Sequence, residues 1–251
     1  MNYRDQGFGF DPGFRMRQSS VVKTIIIINV AVYLLELVLK ATGRFDLFIG
    51  LFALVPELVT RNLFIWQFVT ALFVHADFFH ILFNMLGLFF FGPEIEAMWG
   101  SRRFALVYLI IGALANVFSY VLNIHSMAPI LGASGAVLGI LTAYATIFPN
   151  RRIIFILFPV KAKWLILIYF AISFLGLTGL EGGGGGGTAY AAHFAGIVLG
   201  FAYVKLRWRS VSTLFGEVTH KARIAYLKWK YRNLKILDND REETRWDEWK
   251  N

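Results

Sequence analysis

One serine in a strongly apolar part of the chain has the surroundings that a nucleophile needs. Ser134 lies in the stretch LGASGAVLGI, residues 131–140, where Gly132 and Ala133 leave the approach to its hydroxyl open. A serine hydroxyl becomes an effective nucleophile when a neighbouring base accepts its proton, and histidine can supply that base. His193, in the later stretch AAHFAGIVLG, is the candidate base, so the two residues are candidates for acyl-transfer chemistry.

A second stretch, HADFFHILFN, adds polar side chains suited to stabilising an oxyanion. His80 and Asn84 stand four positions apart, so both project from one face of a helix. Their N–H groups are natural donors to the negative charge that develops when a serine attacks a carbonyl. Asp77 precedes this helix and is predicted to cap its N-terminus rather than to act as a third catalytic residue.

Glycines indicate how the serine and the histidine would meet. Gly135 and Gly139 form a small-residue face directly after the serine, while Gly196 and Gly200 follow the histidine on its own face. Small residues allow two helices to approach closely in a membrane. Packing of these two faces is therefore expected to bring the histidine to the serine.

The elements that must position these residues are predicted to be membrane-spanning helices. Of the 251 residues, 57% are hydrophobic and 16% are charged, whereas soluble domains carry about 25% charged residues. A helix needs about 20 apolar residues to cross a bilayer core of about 30 Å. Six segments approach that length, which predicts an all-α polytopic membrane protein. They are residues 22–39, 78–91 (extended toward 98), 104–122, 134–147, 164–180 and 189–206.

The distribution of basic residues predicts the orientation of this bundle. The loops between the third and fourth and between the fifth and sixth segments contain no Lys or Arg, whereas the long first loop, between the first and second segments, has three basic residues and is a mild exception. Both ends of the chain are basic, so the positive-inside rule places both termini in the cytoplasm. A long first loop at residues 47–74 is expected to carry interfacial or re-entrant helices. With this topology Ser134, His80, Asn84 and His193 share one depth, about 5–10 Å below the outer surface.

The residues alone are compatible with several kinds of protein. Taken one at a time, each polar residue has a plainer structural role, as a helix cap or as hydrogen-bonding glue between helices. Their convergence at one depth favours function, because ionisable groups inside a membrane are costly. His75, His80 and His193 could also form a zinc-binding set, although the chain has no cysteine. An inactive protein that binds membrane proteins and a transporter also stay open.

The same stretches resemble the rhomboid family of intramembrane serine proteases. The resemblance rests on GASG (132–135), HADFFHILFN (75–84) and AAHFAGIVLG (191–200), and it covers about residues 52–205. EAMWGSRRF (96–104) and FPNRRIIFILFPVKAKW (148–164) are similar to connecting segments of the same family. The resemblance implies a rhomboid-like bundle of six transmembrane helices with a long first loop.

The resemblance also implies a reaction and a role for each matched residue. Transmembrane segments of membrane proteins would be cleaved near the outer face by a Ser–His dyad, with no metal and no cofactor. Ser134 would be the nucleophile, His193 the general base, and His80 and Asn84 the oxyanion donors beside the Ser134 amide. His75 matches an outer histidine with a more structural role. The other supporting positions are Gly132, Gly135, Gly196 and Gly200.

One position departs from the family pattern, and one loop is unusual. Many members carry an aromatic residue four positions after the nucleophile, where this chain has Leu138, so the orientation of His193 is less fixed. Six consecutive glycines, 182–187, precede the last segment and are expected to be either a passive linker or a movable lid over the site.

Partners, location and domain limits complete the prediction. The expected partners are the lipid bilayer and single-span membrane proteins as substrates, and no nucleic acid, since no base-reading motif is present. The compact chain and short loops favour a multi-pass protein of a bacterial inner membrane. Residues 1–20 are predicted to be a flexible cytoplasmic tail, residues 21–206 the protease domain, and residues 207–251 a basic amphipathic cytoplasmic tail.

Overall fold

Three long apolar helices account for the first half of the fold. A computed structural model describes residues 19–155, 158–178 and 187–206. Within those residues the helices Ser20–Ala41 (α1), Phe78–Trp99 (α5) and Ser101–Leu122 (α6) each have 22 residues and are long and apolar enough to cross a membrane. These helices confirm the first three predicted segments, with each end within a few residues of the expected position.

Three shorter apolar helices form the second half. They are Ser134–Ile147 (α7), Ala162–Leu177 (α8) and Gly187–Lys205 (α9). The 14 residues of α7 give a length of about 21 Å, which is shorter than a bilayer core of about 30 Å. The described part of the chain is thus mostly helical, with three clear spans, and the count of six spans stays a prediction.

Short helices fill the long connection between α1 and α5. They are Phe45–Phe52 (α2), Pro56–Asn62 (α3) and Gln67–Thr70 (α4), followed by the 3-10 turn Ala71–Phe73. The buried Gln67 side chain holds this connection together, because it accepts from Val55 N at 2.9 Å and donates to Gly50 O at 2.8 Å. The predicted long loop therefore has a fixed structure of its own.

A small β-hairpin follows α7, and the sequence analysis did not predict it. Arg152–Phe155 (β1) pairs antiparallel with Phe158–Lys161 (β2), with Arg152 opposite Lys161. Isoleucine, phenylalanine and valine favour strands, and Pro159 disfavours a helix here because it lacks an amide hydrogen. The described residues are therefore mostly helical, whereas the prediction was that the protein is all-α.

α7 is the central helix of the bundle. Every residue from Gly135 to Ala145 is buried, and the helix packs against α5, α6 and α9. The large apolar side chains on α1, α5 and α6 that stay exposed, such as Ile27, Phe83 and Leu106, point away from this core. An apolar exterior around a helical core is what a lipid environment requires.

Polar side chains form a closed network at the end of the bundle opposite Ser134, which we call the far end. Glu96, near the end of α5, accepts hydrogen bonds from Val21 N at 3.1 Å, Val22 N at 3.0 Å and Ser101 Oγ at 2.5 Å. The Ser19 hydroxyl also donates to this carboxylate. The network ties the start of α1 to the junction of α5 and α6.

An ion pair adds to the far end. Arg151, just after α7, contacts the buried Glu94 carboxylate of α5 and lies over the Phe148 ring, with its guanidinium 4.2 Å from the ring centroid. Burial alone would lower the pKa of Arg151, but the hydrogen bonds and charges of Glu94 and Tyr144 together outweigh burial and raise it. This pair anchors the start of the β-hairpin to α5.

Candidate active site

Ser134 and His193 meet in the structure although 59 positions separate them. Ser134 is the first residue of α7, and His193 lies in the second turn of α9. The Ser134 Oγ and the His193 Nε2 are 2.6 Å apart, and both residues are half-buried. This distance is within the range for proton transfer between a nucleophile and its base.

Backbone contact between α7 and α9 produces this meeting. A Cβ atom placed on Gly196 would overlap the carbonyl of Gly135, and one on Gly200 would overlap the carbonyl of Gly139. In the other direction, a Cβ on Gly139 would lie 3.2 Å from the Gly196 carbonyl oxygen. The four glycines therefore let the helices touch, and His193, one turn before Gly196, reaches the residue just before Gly135.

Gly132 shapes the segment that leads into Ser134. Its φ of +113° is strained for residues with a side chain, and its amide donates to Ala71 O at 2.9 Å. A Cβ on Gly132 would lie 2.5 Å from the Nε2 of His80. Because Gly132 has no side chain, the His80 ring can pack against the backbone two residues before Ser134.

The His80 ring has a defined orientation at the start of α5. Its Nδ1 accepts a hydrogen bond from Ala76 N at 3.4 Å. A neutral imidazole that accepts at one nitrogen carries its proton on the other, so the Nε2 beside Gly132 is the donor. The His80 amide donates to Asp77 Oδ1 at 2.9 Å, which confirms Asp77 as the N-terminal cap of this helix.

Asn84 lies one turn further along α5 and is buried. Its Nδ2 donates to the His80 carbonyl at 2.8 Å. An amide nitrogen carries two hydrogens, so one N–H of Asn84 remains for a ligand. The Asn84 side chain thus bonds back to the preceding turn of its own helix, and its role as an oxyanion donor stays a prediction.

His75 lies behind the His80 ring. Its ring centroid is 5.1 Å from that of His80, in an edge-to-face arrangement, and its side chain is completely buried. Neither ring nitrogen has a hydrogen-bond partner in the described part of the chain. Burial, together with the nearby His80, lowers the pKa of His75 from 6.5 to about 4, so the ring is neutral at physiological pH.

Two residues of α1 that the sequence analysis passed over contact the segment before His80. The buried Glu36 accepts from His75 N at 3.1 Å, and Lys40 Nζ donates to Ala76 O at 2.9 Å. The available signal was a carboxylate in the middle of an apolar span, because such groups are costly in a membrane.

Tyr190 is a third residue that the sequence analysis missed. Its ring lies edge-on to His193, with 6.4 Å between the ring centroids. The ring packs on the backbone of Gly176 in α8, where a Cβ would lie 2.6 Å from the Tyr190 Cε2. Leu138, the position at which many family members carry an aromatic residue, is buried in the core. An aromatic ring does border His193, but it belongs to Tyr190 of α9 itself.

The arrangement combines a hydroxyl, a base and oriented N–H donors at one end of the bundle. Ser134 and His193 supply the reacting pair, and His80 faces the backbone that leads into Ser134. Across residues 19–155, 158–178 and 187–206, no three His, Asp or Glu side chains stand where they could share a metal ion. The geometry suits nucleophilic attack on a carbonyl with stabilisation of the resulting oxyanion.

Comparison with known sequences gives one family. The family model of the Rhomboid domain matches residues 63–210. That range is more than half of the chain, and it includes the site residues on α5, α7 and α9 but leaves out α1.

Several known proteins are similar to this chain. The mitochondrial rhomboid protein 1 of Saccharomyces cerevisiae is 28% identical over 199 residues, which are 76% of this chain and 54% of the yeast protein. The putative rhomboid protease YdcA of Bacillus subtilis is 39% identical over 90 residues, or 35% of this chain and 45% of YdcA. The rhomboid protease GluP of the same organism is 30% identical over 136 residues, or 54% of this chain and 26% of GluP. The chain thus spans about half the length of these relatives or less.

Proposed function

Because the chain belongs to the rhomboid family, we propose that it is a serine endopeptidase that cleaves transmembrane segments of membrane proteins. The observation that carries the proposal is the 2.6 Å contact between Ser134 Oγ and His193 Nε2. The names of GluP and YdcA as rhomboid proteases support it.

In the proposed reaction Ser134 Oγ attacks the scissile carbonyl carbon while His193 Nε2 accepts the hydroxyl proton. The tetrahedral intermediate collapses, the C–N bond breaks, and His193 returns the proton to the leaving amine. A water molecule then attacks the acyl ester, with His193 again as the base, and releases the new carboxylate and the Ser134 hydroxyl.

The oxyanion of each tetrahedral intermediate would lie at the start of α7. Here the Ser134 amide is one of the N–H groups that a helix N-terminus leaves free. The Nε2–H of His80 and the second Nδ2–H of Asn84 are the proposed side-chain donors, and the hydrogen bond from Ala76 to His80 Nδ1 supports this role for His80. Each such donor is worth about 10²–10³ in rate.

Orientation and substrates are also part of the proposal. The distribution of Lys and Arg supports six spans with both termini in the cytoplasm, which places Ser134 near the outer face. Single-span membrane proteins would be the substrates, and their helices would unwind locally because a hydrogen-bonded helix does not present its carbonyls. The proposed location is a bacterial inner membrane, with the protease domain at residues 21–206 and cytoplasmic tails at 1–20 and 207–251.

Three sequence predictions concern residues that the structure does not describe. Residues 1–18 of the N-terminal tail, residues 182–186 of the glycine run and residues 207–251 of the C-terminal tail lie outside the described ranges. The choice between linker and lid for the run stays open, and the flexible N-terminal tail and the basic amphipathic C-terminal tail stay predictions.

Cleavage of single-span substrates by the purified protein in liposomes tests the proposal. The wild type should release two fragments cut within the transmembrane segment, and Ser134→Ala should release none. A chelator should leave the rate unchanged, whereas loss of activity that added zinc restores would favour a metal enzyme. Substrate binding by the wild type without cleavage of any substrate would favour an inactive binding protein.

A further inference from the structure

We propose that Glu36 and Lys40 of α1 position His80 by clamping the backbone of His75 and Ala76. This inference rests on the proposed function, because it assigns His80 the task of an oxyanion donor. Neither α1 residue touches the reacting atoms, so both are positioning residues that act through the segment before α5.

Glu36 forms the first contact of the clamp. Its Oε1 accepts from the amide of His75 at 3.1 Å, and its side chain is completely buried. Burying a carboxyl group in an apolar span is costly, and this is the one hydrogen bond it makes within the described residues. The backbone of His75 is thereby fixed to α1 at the depth of the site.

Lys40 forms the second contact, one helical turn later on the same face of α1. Its Nζ donates to the carbonyl of Ala76 at 2.9 Å and lies 4.4 Å from the centroid of the Phe45 ring. The two contacts are complementary, because Glu36 accepts a hydrogen bond from the backbone and Lys40 donates one to it. Together they fix the first amide and the last carbonyl of the segment 75–76.

The clamped segment controls the His80 ring directly. The amide of Ala76 lies between the two clamped groups and donates to His80 Nδ1 at 3.4 Å. That hydrogen bond keeps Nδ1 unprotonated and therefore keeps the proton on Nε2, which faces Gly132. If the segment moved, His80 could adopt the other tautomer and present a lone pair to the oxyanion.

The position of α1 in the sequence makes this arrangement informative. The match to the Rhomboid domain begins at residue 63, after α1 has ended at Ala41. A helix outside the matched range thus fixes the tautomer of a residue within it. Changes in α1 are therefore expected to alter turnover without altering the reacting pair.

Kinetics of α1 variants test the clamp. Lys40→Met removes one contact at an exposed position, Glu36→Gln keeps an acceptor oxygen, and Glu36→Leu removes it. Lys40→Met and Glu36→Leu should each lower kcat by about tenfold with little change in KM, less than the 10²–10³ expected for complete loss of a donor. Glu36→Gln should retain most of the wild-type kcat.

Arg44→Met is the matched control, because Arg44 is exposed near Lys40 and its side chain makes no hydrogen bond or ion pair with described residues.

A double-mutant cycle separates positioning from general destabilisation. In a His80→Ala background, Lys40→Met should cause no further loss of kcat, because residues that act through one group are not additive. A full tenfold loss in that background, or equal losses for Lys40→Met and Arg44→Met, would overturn the proposal.

Nitrogen-15 NMR of labelled histidines in detergent gives a readout that does not need activity. His80, assigned by its loss in His80→Ala, should show an Nε2–H tautomer in the wild type and a mixture of tautomers in Lys40→Met. An unchanged His80 signal in Lys40→Met would contradict the clamp even if the wild type cleaves substrates. If the wild type cleaves nothing, the proposed function fails, and the tautomer comparison still decides the clamp.

Discussion

The two ends of the helix bundle hold their buried carboxylates in opposite ways. At the far end, Glu96 accepts hydrogen bonds from two backbone amides and from the hydroxyls of Ser19 and Ser101. At the site end, Glu36 accepts one bond, and its Oε2 has no partner among the described residues. Both carboxylates tie α1 to a distant segment, but one network is closed and the other is open.

The difference separates structural from functional polar groups. A closed network returns most of the cost of burial and stabilises the fold. Buried polar groups without partners require an explanation, and functional sites are a common one. At the site end the ring nitrogens of His75, unpaired within the described residues, lie next to His80, which lines the approach to Ser134. Substitutions at the site end should therefore change rates, and substitutions at the far end should change stability.

The largest effect is expected at the reacting pair. Ser134→Ala or His193→Ala should each lower kcat by about 10⁴-fold or more, and the double variant should be little worse, because the residues act as a unit. Thermal unfolding of both variants should stay close to wild type. Substantial cleavage by Ser134→Ala in detergent would refute the assignment of the nucleophile.

A smaller rate effect is expected at Asn84. Asn84→Ala should lower kcat by about 10²–10³, while a serine-directed fluorophosphonate still reacts with Ser134. Turnover should be measured under conditions in which the chemical step limits the rate. An unchanged kcat would remove Asn84 from the oxyanion site.

A substitution at the far end, Glu96→Ala, should lower the stability of the protein and leave its kcat nearly unchanged. Glu96→Ala leaves the hydroxyl of Ser19 and the amides of Val21 and Val22 without their acceptor, which should cost about 1.5–3 kcal/mol of unfolding free energy. The kcat of the folded fraction should stay within about threefold of wild type, since the change lies far from Ser134. A loss of kcat as large as that of Asn84→Ala would end the distinction between the two ends.

The last prediction concerns the pH dependence of stability. The folded state lowers the pKa of His75 to about 4 from 6.5, so the unfolded chain binds the extra proton between these values. Its contribution to stability is constant above about pH 6.5 and falls as the pH drops toward 4, by at most about 1.4 kcal/mol per unit. Unfolding of wild type and His75→Asn should be compared at each pH. Parallel profiles would show that His75 is not held neutral.

The sequence was informative where a pattern repeats along one helix. Apolar runs located the helices. Two pairs of glycines spaced four apart, one beginning at Gly135 and one at Gly196, indicated which helix faces touch. The clamp of Glu36 and Lys40 was not predictable in this way, because side-chain bonds to a distant backbone leave no periodic signal. The aromatic partner of His193 was missed for a related reason, since Tyr190 reaches it from a position that the family pattern does not mark.

The most direct test of the central claim is the site of covalent labelling by a fluorophosphonate. The purified protein is treated with the probe in detergent, digested and analysed by mass spectrometry, with Ser134→Ala and His193→Ala as parallel samples. The adduct should lie on Ser134 in the wild type, be absent from Ser134→Ala, and form far more slowly in His193→Ala. An adduct on another serine, or equal labelling of wild type and His193→Ala, would contradict the assignment of Ser134 and His193 as a catalytic pair.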